Sequence, residues 1–358
     1  MGRAPDDQFD EAEYREKLIA GGIDPAAAAD VASKTARARG LETRPAAASA
    51  TAKGVRGRTI EKPGATEDAG MSKQASKLVN MASTIAAMPP TGEDMAFTHS
   101  VLCQVGLPRA KVDGREFMRQ SGQAWVNVQA GWLDEGHGPV LQPIPYGVMP
   151  RLALAWVSTY AKRHKTREIP IGESASDFLK LMGMDDQGAR YATLRVQMHA
   201  LASCRLQLGF KGRTFNGQPI DQFDAWVSNK VEGQRPLWPG VMMLSEGYFS
   251  SLIDSAVPLD NRALLALKGS ALALDVYAWL AHRLHRIEGK GVVLHWAALR
   301  EQFAQEYQGK DADKDFKKKF LPALKKVLAV YPQANVRQVT GGLLLLGSPP
   351  PILPKTAR

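Results

Sequence analysis

REIPIGESASDFLKLMGMDDQGARYATLRVQMHALASCRLQLGF, residues 167–210, decides the fold. Its opening, REIPIG (167–172), reads as a short strand. Ser174 or Ser176 can cap a helix over 175–183, and Gly183 ends it. The turn MDDQG follows. A longer helix over 189–203 then places Tyr191, Leu194, Met198 and Leu201 on one face, as core. CRLQLGF (204–210) and DAWVSNKV (224–231) carry strand signals. Upstream, Pro150 stands at the start of a helix in PIPYGVMPRLALAWVSTYAKRHK, whose Leu152, Ala155, Trp156, Thr159 and Tyr160 share a face. Helix, short strand, short helix, turn, longer helix and two strands is the order of a winged helix.

The order recurs downstream. Residues 259–267 give a short helix, and 270–287 a long one with Ala273, Val276, Tyr277, Leu280, Leu284 and Ile287 on one face. GVVLHW (291–296) is a short strand, AALREQFAQEY (297–307) a helix and QGKDAD (308–313) a turn. KDADKDFKKKFLPALKKVLAVY (310–331) is the longer helix, and NVRQVTGGLLLLGS (335–348) reads as a hairpin folding at Gly341-Gly342. The expected fold class is α+β: two tandem winged-helix domains preceded by a partly disordered, partly helical N-terminal region. The expected boundaries are 1–95 for that region, 96–250 for the first domain, 258–348 for the second and 349–358 for a tail.

Within 310–326 stand seven lysines and three aspartates, so this part carries +4. Phe316, Phe320, Leu324 and Leu328 form its apolar face, and Lys314, Lys317, Lys318 and Lys325 can project away from it. The turn adds Lys310 and the hairpin adds Arg337. From Pro258 to Gly347, fourteen Lys and Arg face eight Asp and Glu, which is +6 of the chain's +10. A lysine-rich helix face is most often only solvated. Here it occupies the position that a helix-turn-helix lays in the major groove of DNA, which favours binding. Pro322 cannot donate to Lys318 and is expected to kink or break the helix, leaving 312–321 to face the groove. The first copy is less basic: Arg190 and Arg195 lie on its longer helix, and Lys211 and Arg213 on its expected wing. It reads as an assembly module with secondary phosphate contacts.

The rest of the chain sets bounds. It has 358 residues and a pI near 9.5, which favours a polyanionic partner. Cys103 and Cys204 make no disulfide framework, so a reducing, cytoplasmic setting is expected. Residues 1–38 read as two short helices, the second opening at Asp24-Pro25. Residues 39–70 hold almost no large apolar side chains and are expected to stay disordered. Residues 71–88 read as a marginal helix that Pro89-Pro90 ends. SVLCQVGLPRA (100–110) and QAWVNVQAGWL (123–133) alternate like strands. No P-loop occurs: GATEDAGMSK lacks the lysine after its second glycine. His282 and His285 are three apart on a helix but have no carboxylate or cysteine partners, so no metal and no cofactor is expected, nor an enzyme.

Residues 139–353 resemble plasmid replication initiators of the RepA type. The resemblance is carried by PIPYGVMPRLALAWVSTYA, REIPIGESASDFLKLMG, SALALDVYAWLAHRL, DFKKKFLPALKKVLAVYP and GGLLLLGSPPPI, in that order. FDEAEYREKLIAGGIDPAAAADVASKT, near the N-terminus, resembles initiators of the TrfA type. The resemblance implies an origin-binding protein whose C-terminal module reads repeated sites called iterons. Its N-terminal module would dimerise and add DNA contacts. The protein would help to melt an AT-rich segment and recruit the host replicative helicase and its loader. The partners it implies are therefore double-stranded DNA, those host proteins and a second copy of the chain, with no membrane. The rivals are a winged-helix transcriptional repressor without initiator activity, a nuclease, and a membrane-surface protein.

Overall fold

The computed structural model describes residues 10–20, 73–172, 174–185, 188–223, 240–305 and 310–353, with five positions between 25 and 33. The expected linker 39–70, the expected strand 224–231 and the end of the tail lie outside the described residues.

Asp10 starts helix α1 (Glu11–Ala20), its carboxylate accepting from the amides of Ala12 and Glu13 at 2.8 and 3.0 Å. Helix α2 (Lys73–Ala87) ends before Pro89 and packs against the last long helix of the chain. Strand β1 (Met95–His99) then leads into a short helix α3 (Ser100–Gln104). This corrects the strand expected over 100–110. His99 caps the helix, its Nδ1 accepting from the Val101 amide. The alternating Val101, Cys103, Val105 and Leu107 are all buried, because a helical turn followed by extended chain hides them as well as a strand would.

Next come β2 (Glu116–Ser121), β3 (Ala124–Gln129), and the hairpin β4 (Trp132–Asp134) with β5 (Pro139–Leu141). β2 falls between the two stretches that alternate like strands, where the sequence shows no strand signal. Helix α4 (Val148–His164) precedes β6 (Glu168–Pro170), α5 (Ala175–Leu181) and α6 (Gly188–Ser203). Ser174 caps α5 by accepting from the Asp177 amide at 3.1 Å, and Gly183 closes it with φ +66°. Then follow β7 (Arg205–Phe210), β8 (Arg213–Gly217), β9 (Ile220–Gln222), β10 (Val241–Leu244), α7 (Glu246–Ser255) and β11 (Ala256–Asp260). β11 pairs with β1, tying the two ends of the first half together.

The second half is α8 (Asn261–Leu267), α9 (Ala271–Arg283), a 3-10 turn (Leu284–Arg286), β12 (Val292–His295), α10 (Trp296–Phe303), α11 (Ala312–Val330), β13 (Val336–Val339) and β14 (Gly342–Leu345). Asp260 caps α8 and Ser270 caps α9. Contrary to the break expected at Pro322, α11 runs unbroken across it. Phe316 and Phe320 before the proline, and Leu324 and Val327 after it, are buried in one core. Each such side chain contributes about 1.5–3 kcal/mol on burial, which together outweighs one missing backbone hydrogen bond.

The architecture is mixed helix and sheet, and two of its sheets correspond. In the first half the strand order is β6-β10-β9, and in the second β12-β14-β13. Each is first strand, last strand, middle strand, all antiparallel. The strand pair expected at 204–210 and 224–231 is corrected by this. β7 lies inside a separate four-stranded sheet, β2-β3-β7-β8, with β3 on one side and β8 on the other. Gly209 of β7 is needed there: a Cβ would sit 2.0 Å from the Trp125 ring on β3. The closing pair of the first half is instead β9 and β10. One apolar cluster runs through both halves, from Ala82 to Leu345.

Between the halves lies a buried ion pair. Arg151 on α4 grips Asp275 on α9 with two bonds, of 2.7 and 2.8 Å. Its remaining guanidinium hydrogens go to the carbonyls of Leu107, Pro108 and Gly147. Arg109 donates to the Phe303 carbonyl from the same loop.

Candidate nucleic-acid interface

Helix α11 is held from one side. Phe316 and Phe320 lie against each other with tilted rings, 5.0 Å between ring centres, and Phe320 meets Phe303 of α10 at 5.4 Å. Asp313 and Asp315 lie in its first turn, where the helix dipole favours negative charge. Arg300 of α10 pairs with Asp313 at 2.6 Å, fixing the angle between the two helices. Both are part-exposed, so the pair orients more than it stabilises.

The opposite side is basic. Lys314, Lys318 and Lys325 are exposed and lie within about 40° of one another around the helix, given 100° per residue. Lys310, just before the helix, and Arg337 on β13 are also exposed. Lys317 differs from this set. It is half-buried, with its ammonium 5.0 Å from the centre of the Trp296 ring. That contact replaces part of its hydration and points it along α10. Lys319 and Lys326 are exposed too and form a second stripe, separated from the first by Asp311, Asp315 and Pro322. Reading the sequence for the apolar face passes over them, although their seven-residue spacing marks them as one stripe.

The basic residues of the first half are more engaged. Arg190 pairs with Asp185 across the turn before α6, at 3.2 Å. Arg195 is half-buried, near Glu135, which bonds to His199 at 3.2 Å. Burial pushes the His199 imidazole down, so a neutral imidazole meets the Glu135 carboxylate, a hydrogen bond rather than an ion pair. Lys211 and Arg213 are both exposed, but on the β7–β8 turn and not on the closing pair of the three-stranded sheet. Lys211 takes φ +49° and lies over Phe210, and Arg213 pairs with Asp254 at 3.1 Å.

Residues 144–297 match the family of the plasmid encoded RepA protein. The matched segment spans α4 through β12 and reaches the first turn of α10. It therefore includes all of the first three-stranded sheet and the entry into the second, while α11 lies beyond its end. Two solved structures are also similar. The chain is 13% identical to the crystal structure of selenomethionine derivatives of domains 2 and 3 of RctB, with TM-score 0.45, over 69% of this chain and 98% of that one. It is 13% identical to a second structure of RctB domains 2–3, with TM-score 0.40, over 68% and 94%. No curated protein matches by sequence.

Among the described residues, no group of three or more His, Cys, Asp and Glu could hold a metal ion. His285 bonds to the Ala281 carbonyl and His282 meets Arg286, so the two histidines face different partners. No helix among the described residues is long and apolar enough to cross a membrane.

Proposed function

We infer that this chain is a plasmid replication initiator that binds duplex DNA through two winged-helix modules. The observation that carries this is α11: a helix pinned by aromatic side chains on one side, with lysines open to solvent on the other, held between a short helix and a three-stranded sheet. In a winged helix that position is the recognition helix. The match to the RepA family supports the same reading. The recurrence of first-last-middle strand order supports a second such module in the first half.

On this reading Lys314, Lys318 and Lys325 contact phosphates and base edges of repeated origin sites, with Lys310 and Arg337 on the flanking backbone. The first module serves assembly, with Arg190, Arg195, Lys211 and Arg213 as secondary contacts. The protein then promotes local melting and recruits the host helicase and its loader without chemistry of its own.

A footprint of the purified protein on DNA flanking its gene tests this, using wild type and K314A/K318A/K325A. Protection of several tandem repeats, abolished in the variant, is expected. One inverted repeat over a promoter would instead indicate a repressor. No protection at low salt would refute DNA recognition by α11.

A further inference from the structure

A cleft of about 610 Å³ opens where the two halves meet, away from the lysine face of α11. One wall is the β2–β3 turn, Ser121 to Gln123, with Phe210 at the end of β7. The other is the end of α9, the 3-10 turn and β12. Two guanidiniums line it. Arg283 has its Nε buried without a hydrogen-bond partner, and Trp279 beside it, 1% exposed, has its indole N–H in the same condition. Arg286 donates to His282 Nε2 at 2.7 Å, and that imidazole is pushed down to about 4, chiefly by burial, so it is a neutral acceptor at pH 7. Glu288 and Glu301 also line the cleft, but both are exposed, and neither forms an ion pair with either arginine among the described residues.

A part-buried cation without an anionic partner is costly, and burial pushes the Arg283 guanidinium below its usual range. Planar N–H forks of this kind suit phosphate oxygens. Phe210, Ile287 and Leu294 add apolar surface in the same cleft. The volume suits a body of nucleotide size. The two rim carboxylates limit the charge the cleft accepts, since a triphosphate would bring several negative charges against them.

We propose that this cleft binds a nucleotide through a single phosphate, held by Arg283 and Arg286, with its base or sugar over Phe210 and Leu294. The phosphate ester comes either from a free mononucleotide or from one nucleotide of a DNA strand passing between the modules. The site is independent of the duplex-reading face, because none of its residues belongs to α11.

The test measures binding of two fluorescent probes to the full chain: labelled adenosine monophosphate, and a labelled twelve-nucleotide single strand without origin sequence. Arg286 is exposed, so R286A should fold; R283Q is the second variant, checked by thermal melting. Wild type is expected to bind at least one probe, about tenfold more tightly than R286A, the effect of removing one hydrogen bond to a charged group. K314A/K318A/K325A is expected to leave mononucleotide binding unchanged. Mononucleotide binding that adenosine triphosphate does not outcompete assigns the free nucleotide as the source. Binding of the strand alone, with a salt slope lowered by about 0.7 in R286A, assigns the strand. Failure of both probes to bind, or equal affinity in wild type and R286A, overturns the proposal. No duplex footprint by the wild-type chain, with nucleotide binding intact, would instead remove the function inferred for α11 and leave this site standing.

Discussion

Helix α6 in the first half and helix α11 in the second hold the same rank between a short helix and a three-stranded sheet, yet their surfaces differ. α11 presents Lys314, Lys318 and Lys325 to solvent with no carboxylate paired to them among the described residues. α6 has two arginines, one tied to Asp185 and one half-buried near Glu135. A cation already satisfied within the protein must give up that partner before it meets a phosphate, and a solvated one need not. On the proposed function, one arrangement of helices and strands would serve recognition in one half and assembly in the other, with the difference written in a few side chains.

The largest expected effect breaks that contrast directly. K314A/K318A/K325A should lower the slope of log affinity against log salt by about 0.9 for each phosphate the variant no longer neutralises, and weaken duplex binding on the order of a thousandfold at low salt. The matching change in the first half, R190A/R195A, should move the slope by less than one such unit. Equal weakening by both would erase the distinction between the copies.

Asp275 sharpens the comparison from the side of stability. D275A leaves Arg151 buried without its anion and should cost about 3–5 kcal/mol in denaturant unfolding. Its salt slope on DNA, measured below the unfolding transition, should stay that of wild type. An unfolding midpoint unchanged in D275A would mean that the two halves are not held through this pair.

A smaller effect is expected from pH. His99 on β1 and His282 on α9 are both pushed from 6.5 to about 4, by burial in each case first. Their folded values lie below the unfolded value, so the unfolded chain binds more protons in that window. Stability is therefore full above pH 6.5 and falls as pH drops toward 4, by at most about 3 kcal/mol for each histidine. Unfolding midpoints at pH 7 and pH 4.5 measure it, and H99Q or H282Q should each flatten the decline. The smallest effect belongs to R213A. Its ion pair with Asp254 is exposed, and unfolding free energy should change by less than about 1 kcal/mol.

Much of the fold was legible in the sequence. The cap at Ser174 and the stop at Gly183 are local chemistry, and they put the ends of α5 where the sequence predicts them. The aromatic spacing of α11 likewise foretold its buried face. The misreadings share one cause. Val101 to Leu107 alternate, yet a helix forms there, because the His99 cap and burial against the second half were not visible locally. β7 has strand character, but its partners are β3, some eighty residues earlier in the chain, and β8, which does not read as a strand.

The sequence by itself determined helices α4 to α6 and α8 to α11 and the concentration of lysine around α11, since periodicity, caps and charge act over a few residues. Tertiary structure alone decided which strands close the first three-stranded sheet, that Lys317 lies on Trp296, that Arg151 clamps Asp275, and that Arg283 and Arg286 face Phe210 across a cleft. Those contacts join residues tens of positions apart. Their energy comes from burial and desolvation in the assembled core, which no local stretch of chain encodes on its own.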